Sequence, residues 1–149
     1  MAMRPARLLL ILTLALAALV ATGAASGRSG GAFQVIVHPS NPVREVDRQF
    51  LRDAFLKRAQ RWPHDATVRP VDLTRDKAAR QAFSREVLGK SIPEVKSYWY
   101  QQIFSGKAVP PPEVDSDAAA IAHVLRHPGG VGYLSPDASP GTAKVVTVK

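Results

Sequence analysis

The run Thr74-Arg75-Asp76-Lys77-Ala78-Ala79-Arg80 gathers the side chains best suited to do chemistry. Its cations, Arg75, Lys77 and Arg80, surround what the apolar spacing beyond them marks as a helix start. A helix start offers free N–H groups and the positive end of the helix dipole, so this pattern suits a bound anion. The same residues also suit a helix capped by the Asp76 carboxylate, with a solvated basic face and no ligand. His123 and His127 are one helical turn apart and could both face a metal. No third ligand lies near them in sequence, and a histidine at a helix C-terminus also suits the dipole there, so no metal site is expected. Asp115 and Asp117 are paired carboxylates at a helix start, where acids belong. The chain has no cysteine, no G-x-S-x-G elbow and no H-E-x-x-H run. No enzyme activity and no cofactor are expected.

Strands and helices must alternate to position that run. Phe33–His38 (FQVIVH) is short, β-branched and apolar, and predicts a buried strand ending at Pro39. The PSNP loop, Pro39 to Pro42, permits no helix. Asp47 can cap a helix whose stripe is Phe50, Leu51, Ala54 and Phe55, with Lys57, Arg58 and Arg61 near an end closed by Trp62-Pro63. Thr67–Leu73 (TVRPVDL) predicts a strand that is broken or edge-like at Pro70. Asp76–Leu88 predicts a helix with Ala78, Ala79, Ala82, Phe83 and Val87 inward and Gly89 as the stop.

Ser91-Ile92-Pro93-Glu94 is a capping box opening a helix through Phe104, rich in Tyr98, Trp99 and Tyr100. Those three neighbours cannot share one face, so at least one points to solvent or to a partner. Pro110–Pro112 is a stiff extended connector. Ser116 or Asp115 caps a helix from Asp117 to about Arg126, with Ala118, Ile121, Ala122, Val124 and Leu125 apolar. Val131–Leu134 and Ala143–Val148 are the last strands. Alternating strands and helices, several strands nearly all apolar, predict an α/β fold: a mixed sheet flanked by helices.

The first twenty-five residues read as an export signal. Arg4 and Arg7 precede the apolar run Leu8–Val20, relieved only by Thr13, and small residues follow at Ala21–Ala25. Residues 26–32 (SGRSGGA) read as a flexible linker, and 33–149 as the folded domain. The expected location is therefore periplasmic. With Arg4 and Arg7 removed, 18 basic residues face 12 acidic ones. Such a balance favours anionic partners. No aromatic residues interleave with a basic stripe, so nucleic acid is not expected.

The order VIVHPSNP, FLRDAFLKRAQRWPHDATVRPVDL, ARQAF, YWYQQIFSGKAVPP, HPGGVGYL resembles small phosphate ABC transporter substrate-binding-like proteins of the type 2 periplasmic-binding-protein superfamily. The resemblance covers Phe33 to about Pro136 and matches roughly one lobe of the two-lobed members. It implies a single-lobe solute-binding module and reversible binding of phosphate or a related oxyanion. A membrane transporter or self-association would supply its partner. In such relatives a strand like VRPVDL leads into a Ser/Gly/Thr-rich turn opening a helix, then an Arg and, three residues on, a Phe. Arg80 and Phe83 keep that spacing here and Thr74 keeps a hydroxyl, while Asp76, Lys77, Ala78 and Ala79 replace the Gly-Ser-Gly-Thr portion.

The resemblance thus implies an oxyanion site in which Arg75 and Arg80 supply charge, Thr74 its hydroxyl, and Ala78 and Ala79 their N–H groups. Asn41, matching the family's Asn, stabilises the PSNP turn or adds a contact, and His38 at the strand end donates to the ligand or serves as a loop-edge histidine. The competing expectation is a protein-interaction module that keeps the fold with a degenerate anion site. It would use the aromatics near Trp99 and the basic end near Arg58 and Arg61.

Overall fold

The computed structural model describes residues 31–149. The expected export signal, residues 1–25, and most of the linker 26–32 lie outside the described residues. At the centre is a strand, β1 (Gln34–Val37), antiparallel to both β6 (Gly130–Leu134) and β7 (Lys144–Val148). The outer pairings are parallel: β2 (Glu45–Val46) on β7, and β3 (Arg69–Pro70) on β6. The order β2-β7-β1-β6-β3 is therefore a mixed sheet. Val35, Ile36 and Val37 of β1 and every residue of β6 are buried. Strands covered on both faces carry no polar alternation, which is why these two read as apolar runs.

The expected strand Thr67–Leu73 is divided between two partners. Arg69 and Val71 donate to the Gly129 and Val131 carbonyls at 2.9 and 3.0 Å. The N–H that Pro70 lacks would have pointed away from β6, toward the sheet edge, so no ladder bond is lost. Beyond Val71 the chain continues as β4 (Asp72–Leu73), parallel to β5 (Glu113–Val114). Asp72 and Thr74 donate to Pro112 and Val114 carbonyls, each at 2.9 Å, so the proline connector feeds straight into a ladder.

Helix α1 (Arg48–Phe55) starts as expected, with the Asp47 carboxylate accepting from the Gln49 and Phe50 N–H groups at 2.8 and 3.1 Å. It stops well short of Trp62-Pro63. Lys57 turns to φ 61°, and Trp62 folds back into the core with its indole N–H on the Gly129 carbonyl at 3.0 Å. Burying that indole outweighs further turns of a solvent-facing helix.

Helix α2 (Ala78–Phe83) runs directly into a π-helical turn, Ser84–Leu88, closed by Gly89 at φ 65°. Two α1 arginines fasten this turn: Arg48 donates to the Glu86 carbonyl at 2.8 Å and Arg52 to the Val87 carbonyl at 2.9 Å. Ala78, expected inward, is exposed, while Ala79, Ala82, Phe83 and Val87 are buried. Helix α3 (Ile92–Phe104) carries the expected capping box of Ser91 and Glu94. Ser116, rather than Asp115, caps α4 (Asp117–Arg126) through the Ala119 N–H at 3.1 Å. On α4 the inward residues are Ala120 and Val124, and Ala118 and Ala122 are exposed.

The faces of β6 alternate. Tyr133 stacks on Phe83 with centroids 4.0 Å apart, and Phe55 lies 4.6 Å from Phe83, so α1 and α2 cover one face. Each such ring contributes about 1.5–3 kcal/mol through burial. Gly130 and Gly132 look the other way, toward α4. A Cβ on Gly130 would sit 2.7 Å from the Val124 carbonyl, so glycine lets the helix approach.

Candidate anion-binding site

Six extended residues, 69–74, deliver the turn that precedes α2. Thr74 accepts at its carbonyl from the Lys77 N–H at 3.1 Å, which closes the turn. Lys77, not Asp76, occupies the N-cap position, and it makes no side-chain cap. Asp76 is instead fully solvent-facing. The Thr74 hydroxyl, its own backbone N–H and the Lys77 ammonium 3.7 Å away hold its carboxyl below the usual carboxylate range. The helix-capping reading of Asp76 is therefore corrected, and among the described residues the N-cap of α2 makes no side-chain cap hydrogen bond. The Thr74 hydroxyl, expected to face a ligand, is engaged by Asp76.

Arg80 points inward. It is 3% exposed and forms an ion pair with Asp72, itself 4% exposed. The Tyr133 hydroxyl donates to Asp72 at 2.6 Å and accepts from the Leu73 N–H at 3.2 Å, with Arg80 Nη1 at 3.5 Å. Desolvation raises the Asp72 carboxyl, opposed by the Arg80 charge and the Tyr133 hydrogen bond. Desolvation and the Asp72 charge push the Tyr133 phenol up, so it stays neutral and donates. The expectation that Arg80 supplies charge to a ligand is thus corrected. Its charge is balanced within the core, and among the described residues its Nε has no partner. An Asp inside an otherwise apolar strand, eight residues before an Arg, was the available sequence signal for this triad.

His38 and Asn41 do not join Thr74 and Arg80. β1 is antiparallel to β6, with His38 donating its N–H to Gly130 and Gln34 facing Leu134. Thr74 follows β4 beside Tyr133, toward the opposite end of β6. His38 Nδ1 is satisfied by Ser40, accepting from its N–H at 3.1 Å with the hydroxyl at 2.7 Å. Asn41 is buried; its Oδ1 accepts from the Val43 N–H at 3.1 Å and its carbonyl takes the Lys144 ammonium. It stabilises the turn, and its Nδ2 has no partner among the described residues.

His123 and His127 face each other at 4.7 Å, and no group of three or more metal-capable side chains occurs among the described residues. The Asp117 carboxylate takes the Ser135 N–H at 3.0 Å. Arg58 and Arg61 are paired, with Asp53 at 3.8 Å and Asp65 at 3.2 Å. Arg75, Lys77 and the N–H groups of Ala78 and Ala79 are what stays at the candidate site, an arrangement suited to holding a small anion.

No protein-family model matches the chain, and no curated protein matches its sequence. Solved structures do match its fold. An ABC-type phosphate transport receptor from Vibrio cholerae aligns over 78% of this chain and 47% of its own, with 18% identity and a TM-score of 0.59. A putative phosphate ABC transporter substrate-binding protein with bound phosphate, from Clostridium perfringens, aligns over 78% and 44%, with 20% identity and a TM-score of 0.60. PstS from Borrelia burgdorferi aligns over 79% and 47%, with 13% identity and a TM-score of 0.60. The chain thus has the fold of part of these proteins and spans under half the length of each.

Proposed function

We propose that the protein is a periplasmic solute-binding module that takes phosphate, or a related oxyanion, reversibly and weakly at the amino end of α2. The observation that carries the reading is the uncapped first turn of α2, flanked by Arg75 and Lys77. The Ala78 and Ala79 N–H groups would bond the anion, and the two cations would supply charge. Likeness to the fold of proteins described as phosphate receptors supports the choice of ligand. Asp76 repels the anion, so a Kd in the millimolar range is expected, equivalent to about −4 kcal/mol. No reaction is proposed, and an ABC-type transporter is the proposed partner. Calorimetric titration of phosphate and sulfate into the natural chain tests the reading. Heat that is lost in the Arg75→Ala, Lys77→Ala double variant and grows in Asp76→Ala supports it; silence up to ~10 mM anion, well above that Kd, overturns it.

The interaction-module reading has its own observation. Phe104 is 90% exposed, with Ile103 and Tyr100 about half exposed beside it at the end of α3. Contiguous exposed apolar surface marks contact sites. Silence toward anions would favour this reading.

A further inference from the structure

A second feature lies beside the anion site and shares Arg75 with it. Helix α3 and the chain leading to β5 enclose a cleft of about 230 Å³ against α2. Trp99, Ile103 and Pro110 give it an apolar wall. Arg75 and Lys96 supply mobile cations, Glu113 one acid, and the buried Arg80 lines it as well. Arg80 is already balanced by Asp72, so the side chains facing the cleft carry a net charge of about +1. The fit is to a monoanion. A phosphate dianion would leave an excess negative charge beside Glu113.

Size narrows the class further. The cleft lies below the ~300 Å³ at which drug-sized pockets begin. That accommodates one ring and a carboxylate. The Lys96 ammonium already lies 5.5 Å over the Tyr100 ring, at the edge of the cleft, where it can meet a carboxylate while the ring packs on Trp99.

We infer that this cleft binds a small aromatic carboxylate, its ring against Trp99 and Ile103 and its carboxylate between Arg75 and Lys96. Phenylacetate is the probe, with acetate and inorganic phosphate as comparisons. Binding to the natural chain is followed by calorimetry and by amide chemical shifts of α3. Phenylacetate is expected to bind at least tenfold more tightly than acetate. Lys96→Glu and Ile103→Asp, both surface changes outside the ion pair, are each expected to weaken it at least tenfold. Exposed Gln101→Ala is the control and leaves binding unchanged. Equal affinity for acetate and phenylacetate, or unaltered binding in both variants, overturns the inference. So does absence of phenylacetate binding at ~10 mM, well above the ~1 mM Kd that corresponds to −4.1 kcal/mol. Phosphate silence with phenylacetate bound would sink only the oxyanion reading.

Discussion

Asp72, Arg80 and Tyr133 show how one buried charge sets the neighbouring side chains. Asp72 lies on a strand with its carboxylate inside the protein, so it must be paired and hydrogen-bonded there. Arg80 supplies the pair and Tyr133 a second donor, while the phenol oxygen also serves the Leu73 N–H. Tyr133→Phe removes a donor to Asp72 and an acceptor from Leu73 together. It is expected to cost about 1–3 kcal/mol in urea unfolding, with the m-value unchanged. His123 gives a pH signature. Desolvation first, then His127, lowers its pKa below 6.5 in the folded chain. Below about pH 6.5 the unfolded chain binds a proton that the folded chain resists, so stability falls as pH falls through that window. His123→Leu is expected to flatten this acid-side loss when unfolding is compared at two pH values, one above and one below 6.5.

At the scale of elements, the N-caps obeyed local rules and the end of α1 did not. Asp47, Ser91 and Ser116 each satisfy N–H groups within a few residues, so they were legible in the chain. The end of α1 was not, because Trp62 is drawn to Gly129, 67 residues away. Gly129 marks the same junction. A Cβ there would meet the Thr67 carbonyl at 1.7 Å, whereas one on Gly106 meets nothing within 4 Å and only its φ of 65° resists it. Gly106→Ala is expected to cost about 1–2 kcal/mol, from the left-handed backbone alone. Gly129→Ala should cost clearly more, because the β3–β6 junction must open. Thermal unfolding of the two variants side by side checks that order.

For the whole molecule, net charge decides how salt acts on anion binding. The formal net charge is +8, and the fold is that of part of a phosphate transport receptor and of part of a putative substrate-binding protein solved with bound phosphate. No helix among the described residues is long and apolar enough to cross a membrane. A general positive field draws anions but is screened by salt. Raising ionic strength from about 0.01 to 0.15 M shortens the Debye length from roughly 30 to 8 Å, so phosphate affinity should fall severalfold. Calorimetry at both salt concentrations reads the change, and affinity indifferent to salt would argue against binding by exposed Arg75 and Lys77.

Local chemistry alone established strands β1, β6 and β7, the starts of α1, α3 and α4, the edge character of Pro70 and the stop at Gly89. Each depends on residues within a turn or two of one another. It did not establish the two-residue strands β2 and β5, which exist only through their partners. Tertiary structure alone decided which residues share a place. β1 runs antiparallel to β6, so His38 and Asn41 lie at one end of the sheet and Thr74 at the other. Nothing in the spacing of either segment encodes that direction. It arises when the chain closes its sheet around β1, and the same closure buries Asp72 and takes Arg80 as its partner.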